Sequence, residues 1–329
     1  ARARVRISCT ASNTEKVAAM SKGKQLRALM RDGKHHFTPG ITTPLHAMIC
    51  EKAGFEFIYM GGYDVSLTLL GLPDVGLITG QEMAANAGNI ARAVGIPVIA
   101  DADTGYGNAI NVMRTVRDFE NAGVAAIHIE DQVNPKRCGH VAGKQVIPLE
   151  EAAGKIRAAC DARRDPDFVV IARTDAVAAV GGGLDEAIRR AKAYAKAGAD
   201  MIFPEFPNSD LTMPKRFAEE VHKDFPGLPL YFNYSSNLKW FESGATFDDV
   251  AAIGFNMMHV SLAGLRTSMQ AMFDYAADLK KRGATAEIEY EKKLLNHPMG
   301  SCNEFAGFPK IKALEEMYLP PDELKKKYQ

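Results

Sequence analysis

The hydrophobic positions of the chain fall into short runs, and several of these follow a helical stretch that ends in glycine. Apolar runs begin directly after Gly54, Gly95, Gly123 and Gly254, and another begins three residues after Gly198. A glycine just after a helix accepts the left-handed backbone conformation that stops the helix. With three further apolar runs, the pattern predicts eight strands, at residues 37–41, 55–60, 96–100, 124–129, 168–172, 201–203, 228–232 and 255–260.

Helical stretches separate the predicted strands, an alternation that is typical of parallel βα units. The segment 184–196, for example, carries apolar residues at helical spacing, with acids early and bases late. Eight βα units are the number that closes a (β/α)8 TIM barrel, so we predict this α/β fold. A doubly wound open sheet is the alternative, but no GxGxxG motif follows the first strand.

The two ends of the chain differ from this repeating part. The first 14 residues contain three arginines, several small or hydroxylated residues and no acid, as in a transit peptide or a disordered basic tail. We therefore expect a flexible basic segment over 1–20 and a single barrel domain with a C-terminal helical extension over 21–329. The expected location is the cytoplasm, or a plastid or mitochondrion if the basic segment is the remnant of a transit peptide.

Charge and cysteine content limit the partners and the compartment that can be expected for the protein. The chain has 40 basic and 40 acidic residues, so its overall charge gives no reason to expect nucleic acid or a membrane surface as a partner. No apolar run approaches the roughly 20 residues of a membrane span. The five cysteines are scattered and odd in number, which favours a reducing compartment over a disulfide framework.

Polar residues concentrate where the predicted strands end, which is where TIM barrels place their active sites. Asp101 and Asp103 are two residues apart and are predicted to point to one side, beside Glu130. Crowded carboxylates must protonate, pair with cations or bind a metal, and an all-oxygen set suits Mg²⁺ or Mn²⁺. A structural salt-bridge network involving Arg173 is the alternative. The other candidates at strand ends are Gly61, Gly62, Glu205, Asn233, Ser235 and Ser261.

The loop after the fourth predicted strand holds Cys138 between Lys136, Arg137 and His140. A thiol near cations has a lowered pKa and is available as a thiolate or as a proton donor. The other four cysteines are interpreted as structural. His140 is a functional candidate, whereas His128 and His259 lie within apolar strands and are interpreted as core histidines. Zinc at Cys138 and His140 is disfavoured because structural zinc needs four ligands.

Four segments resemble the isocitrate lyase and phosphoenolpyruvate mutase superfamily, in its lyase branch. They are ADADTGYG at 100–107, HIEDQ at 128–132, KRCGH at 136–140 and ARTDA at 172–176. The resemblance extends over nearly all of 40–264. It implies a (β/α)8 barrel, a Mg²⁺ site, and a terminal helix exchanged between the subunits of a dimer or tetramer.

The resemblance also implies roles by position. Asp103 is similar to the principal metal ligand, and Asp74, Asp101 and Glu130 to the acids that hold the metal or its waters. Cys138 resembles the catalytic thiol, His140 and Arg173 resemble groups that contact the substrate, and Tyr59 is a candidate base. Gly61 and Gly62 resemble the backbone that holds an α-oxyacid, although Met60 and Gly61 stand where Leu-Ser is more usual. The remaining predicted substrate-binding residues are Lys136, Gly139, Glu205, Asn233, Ser235 and Ser261.

The implied activity is Mg²⁺-dependent cleavage of a carbon–carbon bond in a 2-hydroxy tricarboxylate. The short KRCGH loop and the Leu-Pro-Asp segment resemble 2-methylisocitrate lyases, which would give pyruvate and succinate. Residues 233–240 and 261–264 resemble isocitrate lyases, which would give glyoxylate and succinate, except that Ser236 and His259 depart from that pattern. The alternatives are an oxaloacetate hydrolase, a 2,3-dimethylmalate or alkylmalate lyase, and a barrel that binds a dicarboxylate without turnover.

Overall fold

An eight-stranded parallel barrel forms the centre of the structure, a computed structural model that describes residues 20–137 and 143–328. Neighbouring strands pair in the order β6-β5-β4-β3-β2-β1-β8-β7, and a parallel bridge from Ile202 to Leu230 links the two ends. All eight predicted strands are present, and the predicted TIM barrel is confirmed. The strands are β1 His36–Ile41, β2 Ile58–Met60, β3 Val98–Asp101, β4 Ala126–Glu130, β5 Val169–Thr174, β6 Met201–Pro204, β7 Tyr231–Asn233 and β8 Met257–Val260.

Helices connect the strands and continue beyond the last one. The segment predicted as a helix at 184–196 coincides with one, and the helix at 109–122 ends at Gly123, whose φ of 84° is left-handed. The α-helices are α1 Lys22–Leu29, α2 Pro44–Lys52, α3 Gly62–Val65, α4 Gly80–Ala93, α5 Ala109–Ala122, α6 Leu149–Ala162, α7 Leu184–Lys196, α8 Thr212–Asp224, α9 Trp240–Ser243, α10 Phe247–Ala252, α11 Ala263–Arg282, α12 Ala284–Leu294, α13 Cys302–Phe305, α14 Phe308–Tyr318 and α15 Pro321–Tyr328; a π-helical turn covers Ser66–Leu70 and a 3₁₀ turn Ala176–Ala178.

Helix α1 was not predicted, and it covers the end of the barrel where the strands begin. Leu26 is fully buried and packs into the cluster of side chains inside the barrel. Arg27 forms an ion pair with Asp200 at 2.9 Å, just before β6, and donates a hydrogen bond to the carbonyl of Phe168 before β5. Asn256, before β8, donates to the carbonyl of Met30. The cleft described below therefore lies at the opposite end, where the strands finish.

The described residues form two compact units, the first ending at Arg266 and the second beginning at Thr267. The first contains the barrel. The second consists of the rest of α11 and of helices α12–α15, and several of its large apolar side chains are exposed, among them Phe273, Leu295, Met317 and Tyr318. The expected flexible segment over 1–20 lies almost entirely outside the described residues, and the expectation of one domain over 21–329 stays a prediction.

None of the helices in the described residues combines the length and the apolar character that crossing a membrane requires.

Candidate active site

A cleft opens where the strands end, and side chains from most of the barrel reach it. Its lining combines carboxylates, two cations, amides and three hydroxyls with few apolar groups. The residues that line it are Tyr59, Gly61, Gly62, Tyr63, Asp64, Asp74, Asp101, Lys136, Arg173, Glu205, Asn233, Asn237, His259, Ser261 and Leu262. Most of the strand-end candidates in the described part of the chain are therefore in one place.

Asp101 and Asp103 converge, but not through the strand periodicity that the sequence suggested. Asp101 is the last residue of β3, whereas Asp103 lies beyond the strand with a left-handed φ of 46°. The Asp101 carboxylate accepts hydrogen bonds from Gly62 N at 2.9 Å and from Asp103 N at 2.8 Å. A Cβ at position 62 would lie 2.8 Å from Asp101 Oδ2 and 3.1 Å from Asp103 Oδ1, so only glycine lets both acids approach this backbone.

Lys136 lies among these acids. Its Nζ is 2.6 Å from Asp74 Oδ1 and 2.8 Å from Asp103 Oδ1, and all three side chains are buried. Burial alone would lower the pKa of Lys136, but the carboxylates of Asp103, Glu130, Asp74 and Asp101 hold it well above its usual value. Lys136 is therefore positively charged and lies in direct contact with Asp74 and Asp103.

Arg173, from β5, forms ion pairs with a second group of acids. Its Nε is 3.0 Å from Asp175 Oδ2 and 3.3 Å from Glu130 Oε2, and its Nη2 is 3.4 Å from Glu205 Oε1. Asn233 Nδ2 donates to the same Glu205 oxygen at 2.9 Å. These contacts fix an arginine, a carboxylate and an amide along the wall of the cleft opposite Gly61.

Among the described residues, the acids that line the cleft outnumber the cations that line it. Burial raises the pKa of Asp103 to about 6, although Lys136 opposes the shift, and burial raises the pKa of Glu130 well above its usual value. Glu130 Oε1 is buried and has no hydrogen-bond partner in residues 20–137 and 143–328. A further cation would relieve this excess of negative charge.

The donor set fits Mg²⁺ or Mn²⁺, because carboxylate oxygens are the ligands these ions prefer. In the two described stretches, no three Asp, Glu, His or Cys side chains surround one point as a complete ligand set. This still suits Mg²⁺, which usually takes one or two protein carboxylates and keeps several waters. Asp74, Asp101, Asp103 and Glu130 are the side chains that could hold it.

Tyr59 lies at the base of the cleft in a stack of rings. Its ring centroid is 3.6 Å from that of His259, and its hydroxyl is 2.9 Å from Nε2 of the buried His128. Burial, reinforced by Asp101, raises the pKa of Tyr59 well above its usual value, which disfavours the proposed role as a base. Burial lowers the pKa of His128 to about 4, so this imidazole is neutral at pH 7. His259, interpreted from the sequence as a core residue, also lines the cleft.

The segment after β7 differs from its prediction in one residue. Ser235 is fully buried and is not among the residues that line the cleft. Its carbonyl accepts a hydrogen bond of 2.8 Å from the indole of Trp240, and that indole stacks on Tyr234 with centroids 3.9 Å apart. Asn237, two residues further along the same loop, does line the cleft. Ser235 is therefore placed to shape the loop rather than to touch a ligand.

Ser261, after β8, does reach the cleft. Its hydroxyl is buried and has no hydrogen-bond partner in the part of the chain that the structure describes. Cys138, Gly139 and His140 lie outside the described residues. Downstream of them, Lys144 is buried and pairs with Asp175 at 2.9 Å, so Asp175 links this lysine to Arg173.

Comparison with known proteins identifies the family of the chain. The sequence model of the phosphoenolpyruvate phosphomutase family matches residues 26–280. The chain belongs to this family. Isocitrate lyase from Haloferax volcanii is 39% identical over 301 residues, which cover 91% of this chain and 87% of the relative. A 2-methylisocitrate lyase from Shewanella oneidensis is 46% identical over 253 residues, covering 76% of this chain and 82% of the relative.

A solved member of the family has a similar fold. The crystal structure of a phosphonopyruvate hydrolase in complex with oxalate and Mg²⁺ superposes with a TM-score of 0.79 at 32% identity, and the match covers 92% of this chain and 100% of the other. The predicted resemblance is thereby confirmed. The chain is an enzyme of the isocitrate lyase and phosphoenolpyruvate mutase superfamily of carbon–carbon lyases and mutases.

Proposed function

We propose that the protein is a Mg²⁺-dependent lyase that cleaves 2-methylisocitrate into pyruvate and succinate, with isocitrate as the next candidate substrate. The observation that carries this proposal is the polarity of the cleft. One side presents Asp74 and Asp101, and Asp103 contacts Lys136, which lines the same side. The other presents Arg173, Asn233 and Ser261, which can donate hydrogen bonds to carboxylates, and Glu205, which contacts both Arg173 and Asn233. Such a cleft suits a substrate with a metal-binding α-hydroxy acid at one end and carboxylates at the other.

Asp103 is the proposed principal metal ligand, with Asp74, Asp101 and Glu130 holding the ion directly or through its waters. When bound, the ion would neutralise the α-hydroxy acid oxygens and stabilise the carbonyl that develops there. The Gly62 N–H already donates to Asp101. Gly62 therefore orients the Asp101 carboxylate and leaves room for it. The backbone of Gly61 is proposed to contact the oxyacid of the substrate.

The groups on the opposite wall would bind the part of the substrate that leaves as a dicarboxylate. Arg173 is held by three acids, so its guanidinium keeps one position while a carboxylate docks beside it. Asn233 and Ser261 supply neutral hydrogen bonds, and Glu205 orients Asn233. Lys136 and Gly139 are proposed to contact the substrate from the loop. Cys138 is the proposed proton donor to the carbanion, with His140 beside it.

The identity of the base that removes the hydroxyl proton is open in this proposal. The raised pKa of Tyr59 makes a phenolate there unfavourable at neutral pH. His128 is neutral and so can accept a proton, but it is buried beneath Tyr59 and does not line the cleft. Tyr59 is better suited to shaping the floor of the site.

Steady-state turnover of isocitrate, 2-methylisocitrate, 2,3-dimethylmalate and oxaloacetate with Mg²⁺ tests the proposal. The expected result is the highest kcat/KM on 2-methylisocitrate, with succinate among the products. One methyl group contributes only about 1–3 kcal/mol of discrimination, so isocitrate should also be turned over, roughly 10–200-fold less efficiently. Turnover of oxaloacetate or dimethylmalate alone would contradict the assignment of the Asn233 wall. No turnover of any of the four would favour a binding-only barrel or a phosphonate substrate.

Removing the metal tests its role separately. We expect exhaustive treatment with EDTA to abolish turnover and Mg²⁺ to restore it. Asp103→Ala should likewise abolish turnover while the circular dichroism spectrum stays that of a folded barrel. Glu82→Ala is a suitable control, because Glu82 is an exposed capping residue of α4. Full activity after EDTA would contradict the metal requirement.

A further inference from the structure

Asp64 is a buried acid of the cleft to which the proposed mechanism gives no role. It lies in the short helix α3, lines the cleft and is 2% exposed. Its Oδ1 is buried and has no hydrogen-bond partner in residues 20–137 and 143–328. Buried polar atoms are nearly always hydrogen-bonded, so an unpaired oxygen on the wall of a binding cleft points to a contact with a ligand.

The carboxyl of Asp64 occupies the space that a side chain at position 61 would need. A Cβ built on Gly61 would lie 2.5 Å from Asp64 Oδ2, a distance that real Cβ contacts do not show. Position 61 is also where this sequence has glycine in place of the more usual serine. The two observations agree, because a serine at 61 and the carboxyl of Asp64 cannot both fit as the backbone stands.

The electrostatic setting of Asp64 is compatible with binding an anion. Burial raises the pKa of Asp64 to about 8, and the negative charges of Asp101 and Asp74 add to the shift. Its burial therefore favours the neutral, protonated carboxyl. A protonated carboxyl has one O–H to donate to an oxyanion and adds no repulsion.

We propose that Asp64 is a further substrate-binding residue, which hydrogen bonds through Oδ1 to the oxyacid held at Gly61 and takes the place of a serine hydroxyl at position 61. The inference rests on the proposed function, since that function puts an oxyacid at this wall. It deepens that function by assigning recognition of the oxyacid to a side chain that the family pattern does not contain.

Oxalate is a suitable probe, because it is small, presents oxygens on two adjacent carbons as an α-oxyacid does, and is not turned over by a lyase. Its dissociation constant would be measured by calorimetry in the presence of Mg²⁺ for the wild type, Asp64→Leu, Asp64→Asn and the double variant G61S/D64A. Leucine removes the hydrogen bond at similar size, asparagine keeps a donor, and the double variant exchanges the carboxyl for a serine hydroxyl. Asp249→Leu is the control, since Asp249 holds the same N3 position in the short helix α10 but is exposed.

We expect oxalate to bind Asp64→Leu roughly tenfold more weakly than the wild type, which corresponds to the loss of one hydrogen bond of about 1.4 kcal/mol. Asp64→Asn, G61S/D64A and Asp249→Leu should bind within about threefold of the wild type. Unchanged binding by Asp64→Leu would refute the inference. If Asp64→Leu does not fold, binding by G61S/D64A no tighter than by Asp64→Ala alone would refute it instead.

The same measurement separates this inference from the proposed function. A wild-type protein that does not bind oxalate with Mg²⁺ would refute both. A wild-type protein that binds oxalate, beside an Asp64→Leu variant that binds it equally well, would refute the role of Asp64 and leave the proposed function standing.

Discussion

Replacing Asp131 with asparagine should destabilise the barrel, although Asp131 does not line the cleft. Asp131 follows β4 and is buried. Its Oδ2 accepts hydrogen bonds from Thr174 Oγ1 at 2.8 Å, Tyr194 OH at 2.7 Å and Arg190 Nη1 at 3.2 Å. Its Oδ1 accepts one from Asp175 N at 3.0 Å. All four of these groups in the described part of the chain donate to the carboxylate, and the backbone N–H of Asp175 cannot accept a hydrogen bond from an NH₂ group at Oδ1.

The magnitude follows from the better of the two amide orientations. If the amide oxygen takes the Oδ2 position, three hydrogen bonds survive and the NH₂ group faces the N–H of Asp175. Burying a donor against a donor costs roughly 1–3 kcal/mol. The surviving bonds also lose the charge that strengthens the contact with Arg190, which adds about 1 kcal/mol. The expected loss in the free energy of unfolding is therefore about 2–4 kcal/mol, or on the order of 3–6 °C in Tm for a chain of this length.

Thermal and denaturant unfolding followed by circular dichroism would measure this loss. Asp118→Asn is the matched control, because Asp118 is 48% exposed and its ion pair with Arg114, at 3.4 Å, is open to solvent. The control should stay within about 0.5 kcal/mol of the wild type. Equal stability of the two variants would show that the four-donor geometry around Asp131 is not what holds the ends of β4 and β5 together.

Four further predictions concern the catalytic thiol, two other thiols, the tyrosine and the subunits. Cys138→Ser should lower turnover by at least about 10²-fold with a much smaller change in KM, and substrate should slow alkylation of Cys138 by iodoacetamide; unchanged turnover would make this cysteine structural. Cys50 and Cys160 should alkylate slowly at neutral pH, because burial raises the pKa of each thiol to about 11; peptide mapping would detect faster modification. Tyr59→Phe should keep kcat within about tenfold of the wild type, since a base lost from the mechanism would cost about 10²-fold or more. Sedimentation should give a dimer or tetramer of the 35.8 kDa chain, because the second unit exposes many large apolar side chains; a monomer at micromolar concentration would contradict this.

The barrel was predictable because its signal repeats. Eight short apolar runs alternate with helical stretches, and five of the runs follow a glycine. An error in one βα unit would have left seven others that indicate the same fold. Helix α1 was missed because a single helix has no such support. Its sequence is basic like the segment before it, and the burial of Leu26 depends on contacts with strands far along the chain.

Only those residues of the site that lie at or near the end of a strand could be predicted from the sequence. Asp101, Glu130 and Arg173 lie at or near the ends of β3, β4 and β5, so knowing the strands was enough to bring them together. Ser235 and Asp64 follow β7 and β2 by two and four residues, and there the direction of a side chain depends on the local turn. A hydrogen bond to Trp240 fixes the backbone at Ser235, and the missing Cβ of Gly61 admits the carboxyl of Asp64. Neither feature has a periodicity that the sequence displays.

The indole that anchors the β7 loop gives the enzyme an optical reporter. Trp240 is the sole tryptophan of the chain, so any fluorescence excited selectively from indole comes from this one position. Its indole N–H donates a hydrogen bond to the carbonyl of Ser235, and its ring stacks on Tyr234. Asn237, two residues after Ser235, lines the cleft. A ligand that shifts this loop will alter the polarity and quenching around a single fluorophore. Binding can therefore be titrated on the unlabelled wild-type protein, without turnover and without an introduced probe.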